Sequence, residues 1–317
     1  MKLICIFPPG STKGIVPAFP GDWDVHVVAR AADITDEVAR GADVVLLATH
    51  CAITREILVR LRGVRLFQRL GVGVETIDLE AARELGIRVA NTAGVNAVAV
   101  AEYVIMAAIF LMRRVPELTE AGRRGLNPFP AVFAKGCREV RGKKLGIVGY
   151  GAIGHQVALR ARALGMEVAS ASVRGRPPGP QEAQLGVRRL AFEELLADSD
   201  IVSLHVPLAP ETQDLIRRPQ LERMKRGACL INVARGGVVD EADLAQALHD
   251  GLLGGAAVDT FTVEPMPLDS PLVAAPNVLL TPHTAGATNE CIIEAVGRSL
   301  DNVHRVLRGE EPLDRVV

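Results

Sequence analysis

Aromatic residues are scarce in this 317-residue sequence, which has one Trp, two Tyr and eight Phe, or 3% of the chain. So few aromatic rings leave little material for the stacking platforms with which proteins bind single-stranded nucleic acids. An excess of charge is absent too, because 36 Lys and Arg residues stand against 37 Asp and Glu residues. This balance offers no broad electrostatic footprint for a nucleic acid or an anionic membrane. We therefore expect neither as a partner.

Paired cysteines and long apolar runs are missing as well. The five cysteines are scattered and form no C-x-x-C pair, so the sequence suggests neither a zinc ribbon nor a disulfide framework. The apolar stretch at residues 3–7 is too short for a secretory signal, and Ala97–Met112 is shorter than a bilayer span and contains Glu102. We predict a cytoplasmic protein that holds no metal ion.

Short β-rich runs alternate with helical stretches along most of the chain, of which 49% is hydrophobic. Five predicted strands lie within residues 3–90 and six within residues 144–281. Strands that alternate with helices indicate parallel sheets that are covered on both faces. The sequence therefore predicts an α/β protein with two Rossmann/flavodoxin-like, doubly wound parallel-sheet domains and a cleft between them.

The stretch Ala97–Met112 lies at the junction of the two series and is apolar on nearly all sides. A helix of this kind is normally buried between layers or subunits, and Asn96 is available as its N-cap. We place the domain crossover here. A further helix, predicted over residues 288–308, follows the last strand and is expected to return to the first domain. The predicted domains are residues 1–95 with 289–317, which bind substrate, and residues 96–288, which bind a dinucleotide.

The clearest motif is G-Y-G-A-I-G at residues 149–154, which follows the strand LGIV, opens a helix and is followed by a second strand, EVASA. This context is what a dinucleotide-binding fingerprint requires. Its first glycine makes a tight turn, its second lets the backbone approach the pyrophosphate, and its third lets the helix pack on the strand. The helix N-terminus then favours the negative charge of the pyrophosphate. The predicted cofactor-binding residues here are Gly149, Gly151, Ala152, Ile153 and Gly154.

The end of the second strand indicates which dinucleotide is bound. A carboxylate that bonds the adenosine ribose is expected there, but the sequence reads Ser172-Val173-Arg174-Gly175-Arg176. A hydroxyl with guanidinium groups accepts a 2′-phosphate through charge-assisted hydrogen bonds, whereas an Asp would repel it. We therefore predict that Ser172, Arg174 and Arg176 favour NADP, with NAD as the other possibility. The rival interpretation is that the two arginines only solubilise an exposed loop.

Four further motifs follow in order: HVPLAPET at residues 205–212, NVARGGVVDE at 232–241, VDTFTVEP at 258–265 and TPHTAGAT at 281–288. With the glycine motif they resemble the D-isomer-specific 2-hydroxyacid dehydrogenases, and the resemblance covers nearly the whole chain. Within that family, RGRPPGPQEA at 174–183 most resembles the NADPH-dependent glyoxylate and hydroxypyruvate reductases. The resemblance implies two similar α/β domains, the first formed by both ends of the chain.

The resemblance also implies three catalytic residues, which are Arg235 in VARGG, Glu264 in VEP and His283 in TPH. These types suit the reduction of a 2-oxo acid, in which a hydride moves to C2 and a proton must reach the carbonyl oxygen. An imidazole is the suitable proton donor, and a neighbouring carboxylate would favour its protonated form and fix its tautomer. Arg235 offers a planar fork for the substrate carboxylate.

The loop LGVGVE at residues 70–75 resembles the loop with which this family holds the substrate carboxylate. The resemblance implies that the backbone N–H groups of Val72 and Gly73 make this contact, since glycines allow close approach and form an anion-binding nest. His50 is a candidate substrate contact, although a lone polar loop residue is more often solvated. Tyr103 stands where the family usually has His.

Further cofactor contacts are implied by the resemblance alone. They are His205, Val206, Pro207, Thr212, Val233, Ala234, Asp259 and Ala285.

We therefore expect an oxidoreductase that reduces a small 2-oxo acid, such as glyoxylate or hydroxypyruvate, to the D-2-hydroxy acid with NADPH. A homodimer is expected by resemblance. Two alternatives share the scaffold. A formate- or phosphite-type dehydrogenase would oxidise those substrates steadily, and a corepressor-like binding protein would capture a partner in a dinucleotide-dependent way without turnover.

Overall fold

The computed structural model describes residues 1–7, 19–48, 51–127, 130 and 136–317. The chain divides into two units, a first unit of Met1–Asn96 with Ala287–Val317 and a second unit of Ala97–Gly286. Each unit is built on a parallel sheet with helices in its connections. This confirms the predicted α/β class with two parallel-sheet domains.

Five parallel strands form the sheet of the first unit. They are β1 (Lys2–Ile6), β2 (Asp24–Val28), β3 (Val44–Leu47), β4 (Leu66–Arg69) and β5 (Arg88–Ala90). The order across the sheet is β2-β1-β3-β4-β5. Every residue of β3 and β4 is buried, as is typical of strands that are covered on both faces.

Helices flank this sheet, and one of them comes from the far end of the chain. They are α1 (Asp36–Ala39), α2 (Arg55–Arg60), α3 (Leu79–Glu84) and the C-terminal α11 (Asn289–Leu307), together with a 3₁₀ turn at Ala31–Asp33. Asn302 of α11 is fully buried, and its amide donates to Gln68 Oε1 in β4 at 2.8 Å. Its Oδ1 accepts the Leu313 N–H at 2.6 Å. One buried side chain thus joins α11 to the sheet and to the tail that follows it.

Seven parallel strands form the sheet of the second unit, in the order β12-β11-β10-β9-β6-β7-β8. They are β6 (Lys144–Val148), β7 (Glu167–Ala171), β8 (Arg188–Arg189), β9 (Ile201–Leu204), β10 (Cys229–Asn232), β11 (Gly255–Val258) and β12 (Val278–Leu280). The helices are α4 (Ala97–Met112), α5 (Val115–Arg123), α6 (Ala152–Ala163), α7 (Pro180–Gln184), α8 (Phe192–Asp198), α9 (Arg218–Arg223) and α10 (Glu241–His249).

α4 spans the residues that the sequence predicts and packs against α6 and the sheet of the second unit. Buried alanines such as Ala101 and Ala108 allow this close packing of helix on helix. The predicted N-cap is wrong. The chain enters α4 through a turn at residues 93–96, and the Asn96 Oδ1 has no hydrogen-bond partner in the described part of the chain.

His205 follows β9, and its side chain is half-buried in the second unit. Its ring Nε2 lies 2.9 Å from Ser203 Oγ, and its ring Nδ1 is buried with no hydrogen-bond partner among the residues described. Burial penalises the charged form of an imidazole. It lowers the pKa of His205 from 6.5 to about 3, so the ring is neutral at physiological pH.

We expect His205 to make the stability of the second unit depend on pH. As the pH falls below 6.5, the unfolded chain takes up a proton that the folded imidazole does not bind, so stability is complete above that pH and is lost toward about pH 3. The variant His205→Gln lacks this proton uptake. Between about pH 7.5 and about pH 4.5, the wild type should lose about 1–3 kcal/mol more unfolding free energy than the variant.

Urea unfolding at the two pH values measures this difference. His249→Gln is the matched control, because His249 is exposed at the end of α10 and the variant should keep the wild-type pH dependence. If His205→Gln lost stability with acid as steeply as the wild type, the buried ring would not be the cause.

Candidate active site

The candidate site residues of the second unit lie in loops at one edge of its sheet. β6 and β9 are neighbours there, although β7 and β8 come between them in the chain, so the strand order reverses at this point. In open α/β sheets, ligands bind outside the carboxyl ends of the strands at such a reversal. The glycine motif follows β6 and His205 follows β9, so both flank the reversal.

The three glycines of the motif are needed for three different reasons. Gly149 has a φ of 95°, and a Cβ there would lie 2.8 Å from the His205 carbonyl oxygen. A Cβ on Gly154 would lie 2.7 Å from the Gly149 carbonyl oxygen, because α6 packs closely on the turn. At Gly151, a Cβ would meet nothing within 4 Å. This open space at the N-terminus of α6 fits a pyrophosphate, which needs free N–H groups and close backbone approach.

A cavity of about 490 Å³ opens beside this turn. Its lining includes many of the predicted cofactor-binding residues, namely Gly149, Gly151, Ser172, Arg174, Arg176, His205, Val206, Pro207 and Thr212. Ala152, Ile153 and Gly154 belong to the first turn of α6. Val233, Ala234, Asp259 and Ala285 are instead buried in the loops after β10, β11 and β12.

Ser172 and the two arginines occupy the loop after β7. The Arg176 N–H donates to Ser172 Oγ at 3.0 Å, which leaves the serine hydroxyl with its own proton to donate. The Arg174 guanidinium lies 3.5 Å from the carboxylate of Glu211, and both side chains are about half exposed. The loop therefore places one hydroxyl and two cations at the cavity.

A buried ion pair that the sequence analysis missed lies beneath this loop. The Glu182 carboxylate accepts from Arg189 Nη2, from Ser170 Oγ and from the Gly179 N–H, and its side chain is 3% exposed. A buried charge requires such a set of partners. The only signal in the sequence is Glu182 three residues after Gly179, the spacing of a capping box. The pair connects both ends of the arginine-bearing loop to β7 and β8.

Farther along the same edge of the sheet, after β11 and β12, the structure brings Glu264 and His283 together. His283 Nδ1 lies 2.9 Å from Glu264 Oε2 and 3.0 Å from Oε1, and Oε1 also accepts the Phe261 N–H at 3.1 Å. His283 has a φ of 56°, a conformation that is uncommon for a residue with a side chain and that concentrates at functional sites. Both side chains are about one-third exposed.

Asp259 holds the turn that carries His283. Its Oδ1 accepts from Thr281 Oγ1 at 2.6 Å and from the Thr284 N–H at 2.8 Å, and its Oδ2 accepts the Ala285 N–H at 2.9 Å. Tyr103 of α4 adds a hydrogen bond of 2.7 Å between its hydroxyl and Thr281 Oγ1. Burial raises the pKa of Tyr103 to about 12, so its hydroxyl stays protonated. Tyr103 thus supports the same turn.

Arg235 follows β10, the neighbour of β11, so it lies at the same edge as Glu264 and His283. The Asn232 side chain donates to the Arg235 carbonyl oxygen at 3.2 Å and fixes this turn. The next residue, Gly236, presses against the chain after β11, where a Cβ would lie 1.9 Å from the Phe261 carbonyl oxygen. Only glycine allows the two loops to approach so closely.

In the first unit, the loop at residues 70–75 follows β4. Thr92 N–H donates to the Gly71 carbonyl oxygen at 3.1 Å, and the Asn91 amide donates to that of Val72 at 2.8 Å. Because the C=O and N–H of a trans peptide point in opposite directions, these bonds turn the Val72 and Gly73 N–H groups away from residues 91–92. His50 lies outside the described residues.

In the part of the chain that the structure describes, no three His, Cys, Asp or Glu side chains are grouped so that they could hold a metal ion. No helix described there combines the length and apolarity needed to cross a membrane.

Comparison with known proteins identifies the family. The profile of the D-isomer specific 2-hydroxyacid dehydrogenase, NAD binding domain, matches residues 105–285. The D-3-phosphoglycerate dehydrogenase of Bacillus subtilis is 35% identical over 94% of this chain, but the chain spans only 56% of that enzyme's length. The glyoxylate reductase of Aeropyrum pernix is 37% identical over a region that covers 86% of this chain and 82% of that enzyme's length.

Solved structures agree with this result. The TT0316 protein from Thermus thermophilus is 36% identical, with a TM-score of 0.87 over the whole of both chains. The matching profile is that of the domain with which the family binds its nicotinamide dinucleotide, and it covers the glycine turn and the cavity. This chain belongs to the family of D-isomer-specific 2-hydroxyacid dehydrogenases.

Proposed function

We propose that this protein reduces a small 2-oxo acid of the glyoxylate or hydroxypyruvate type to the D-2-hydroxy acid with NADPH. The observation that carries the proposal is the hydrogen bond between His283 Nδ1 and Glu264, in loops that follow adjacent parallel strands. An imidazole held by a carboxylate is a suitable general acid. The glyoxylate reductase among the relatives supports this choice of substrate.

Each proposed catalytic residue has one task. The reduced nicotinamide, when bound, supplies a hydride to C2 of the substrate. His283 donates its Nε2 proton to the carbonyl oxygen, which becomes the hydroxyl group of the product. Glu264, bonded to Nδ1, orients the ring and leaves Nε2 for the transfer. The Arg235 guanidinium offers the substrate carboxylate a planar, two-pronged contact. In the first unit, the backbone N–H groups of Val72 and Gly73 are the proposed anion-binding groups.

A second candidate substrate is a 2-oxo acid with a further anionic group at C3. A relative that acts on 3-phosphoglycerate points to this class. In the first unit, the buried Arg69 lies directly beneath the candidate carboxylate loop, where its Nε donates to the Gly73 carbonyl oxygen at 3.1 Å. A cation at this place favours substrates with more negative charge.

The proposed preference for NADPH rests on the loop after β7. A 2′-phosphate carries close to two negative charges at neutral pH, and Ser172, Arg174 and Arg176 offer a hydroxyl proton and two guanidinium groups for it. No carboxylate follows β7 directly at residues 172–176. A carboxylate there would repel the phosphate and bond a plain ribose instead.

The proposal includes a homodimer in the cytoplasm. α4 leaves Val98, Met106 and Ile109 between 39% and 46% exposed, on a side of the helix that also carries the exposed Glu102, and a second copy of the chain would cover this side. Cys5, Cys137, Cys229 and Cys291 carry free thiols, which is consistent with a reducing compartment.

The first test is a screen of NADPH oxidation with glyoxylate, hydroxypyruvate, pyruvate and 3-phosphohydroxypyruvate. We expect turnover with the first two, and His283→Ala should lower kcat by about 100- to 10,000-fold, the scale of general acid catalysis. The dissociation constant of NADPH should change little. Rates confined to 3-phosphohydroxypyruvate would favour the second candidate, and flat traces with all four acids, or a variant with near-normal kcat, would contradict the mechanism.

The second test concerns the cofactor. One guanidinium contact to the 2′-phosphate contributes about 1.5 kcal/mol, so KM should be about tenfold lower for NADPH than for NADH. The double variant Ser172→Asp with Arg174→Ala should reverse this ratio, because a carboxylate replaces a cation. The wild-type ratio should also shrink at high salt, which screens exposed charge. Equal KM values, or a lower value for NADH, would overturn the NADPH preference.

A further inference from the structure

Three arginines line the cavity of the second unit, and two of them already form ion pairs with carboxylates of the chain itself. Arg189 is paired with the buried Glu182, and Arg174 lies 3.5 Å from Glu211 at the rim. No described carboxylate lies within ion-pair distance of Arg176. The two pairs differ in accessibility, because the Glu182 side chain is 3% exposed and that of Glu211 is 54% exposed. An incoming anion therefore meets Glu211 rather than Glu182.

A hydrogen-bonded turn holds the backbone beside Glu211. The next residue, Thr212, is buried, and its Oγ1 accepts the Ala209 N–H at 2.8 Å and donates to the Pro207 carbonyl oxygen at 2.6 Å. This turn anchors the chain beside Glu211. Arg174 lies on the exposed loop between β7 and α7, in a turn where the N–H groups of Gly175 and Arg176 donate to Ser172. The two turns bring the carboxylate and the guanidinium together at the rim of the cavity.

Glu211 is an anion at neutral pH. A hydrogen bond from its own backbone N–H and the positive charge of Arg174 both hold its pKa below the ordinary value of 4.5. A 2′-phosphate that reaches Arg174 shares the guanidinium with this carboxylate or displaces the carboxylate, and in both cases it lies near a like charge. NAD(H) does not compete with Glu211 for Arg174 and is not repelled by it, because its ribose carries a neutral hydroxyl group at that position.

We propose that Glu211 is a specificity-determining residue that weakens binding of 2′-phosphorylated dinucleotides by holding Arg174 as its counter-ion. This inference rests on the proposed function, in which Arg174 receives the 2′-phosphate. A half-exposed ion pair contributes little to folding, so removal of the carboxylate leaves the fold intact. At equal distance, its repulsion of a phosphate with nearly two charges is larger than its attraction for one guanidinium.

The experiment measures binding at the adenosine end of the cavity alone. Isothermal titration calorimetry gives the dissociation constants of two ligands. Adenosine 2′,5′-bisphosphate carries the 2′-phosphate, and adenosine 5′-monophosphate lacks it. For Glu211→Gln, we expect the dissociation constant of the bisphosphate to fall by about three- to tenfold, while that of the monophosphate changes by less than about twofold. The KM values of NADPH and NADH should follow the same pattern, and the gain should shrink at high salt.

Glu193→Gln is the matched control, because it removes the same charge from an exposed position on α8 and should change neither dissociation constant. The gain from Glu211→Gln should also be smaller in an Arg174→Ala background, since no counter-ion is then released. The inference is wrong if Glu211→Gln leaves the bisphosphate affinity unchanged, weakens it, or increases the affinities for both ligands by the same factor.

Failure of this inference and failure of the proposed function give different results. If Arg174→Ala leaves the bisphosphate affinity unchanged, Arg174 does not receive the 2′-phosphate, and the proposed basis of the NADPH preference fails. If Arg174→Ala weakens the bisphosphate but Glu211→Gln does not strengthen it, the proposed contact holds and only the role of Glu211 is lost.

Discussion

The parallel register of the seven-stranded sheet is the constraint on which the rest of the second unit depends. Parallel pairing brings the carboxyl ends of neighbouring strands to one edge, so side chains from distant parts of the sequence lie in adjacent loops. Arg235, Glu264 and His283 come after three adjacent strands, β10, β11 and β12. The loops approach one another closely because Gly236 has no side chain to separate them. The parallel register and the lack of a side chain at Gly236 thus bring Arg235, Glu264 and His283 into neighbouring loops, although they lie far apart in the sequence.

Carboxylates give these loops their fixed conformations. Asp259 accepts three hydrogen bonds from the turn that carries His283, and Glu182 connects both ends of the arginine-bearing loop to the sheet. Both are almost completely buried, so each contact replaces water that the carboxylate has lost. Glu264 uses one oxygen for the Phe261 N–H and for His283 together. The hydrogen-bond donors of Asp259 belong to the turn that carries His283, and those of Glu182 include the Gly179 N–H at the end of the arginine-bearing loop.

The strands, α4 and the motifs of the second unit were predictable from the sequence, because hydrophobic period and glycine spacing are local signals. The structure contains the five predicted strands of the first series and the six of the second, and it adds β8, which was missed because two arginines show no β pattern. The Glu182–Arg189 pair and the bond from Tyr103 to Thr281 were not predictable, since each joins residues that only the tertiary structure brings together. The Asn96 cap was wrong, because the Asn96 Oδ1 accepts no hydrogen bond from the described residues.

The proposed cofactor contacts and the proposed catalytic residues lie at the two ends of the sheet edge, and this separation determines what a substitution at either end can change. Ser172, Arg174 and Glu211 follow β7 and β9, whereas Glu264 and His283 follow β11 and β12. A contact to the 2′-phosphate is made equally in the ground state and the transition state, because that group takes no part in the reaction. Such uniform binding changes KM and leaves kcat unaltered. Cofactor preference in this fold can therefore be altered through charge at one loop without loss of the catalytic geometry at the other.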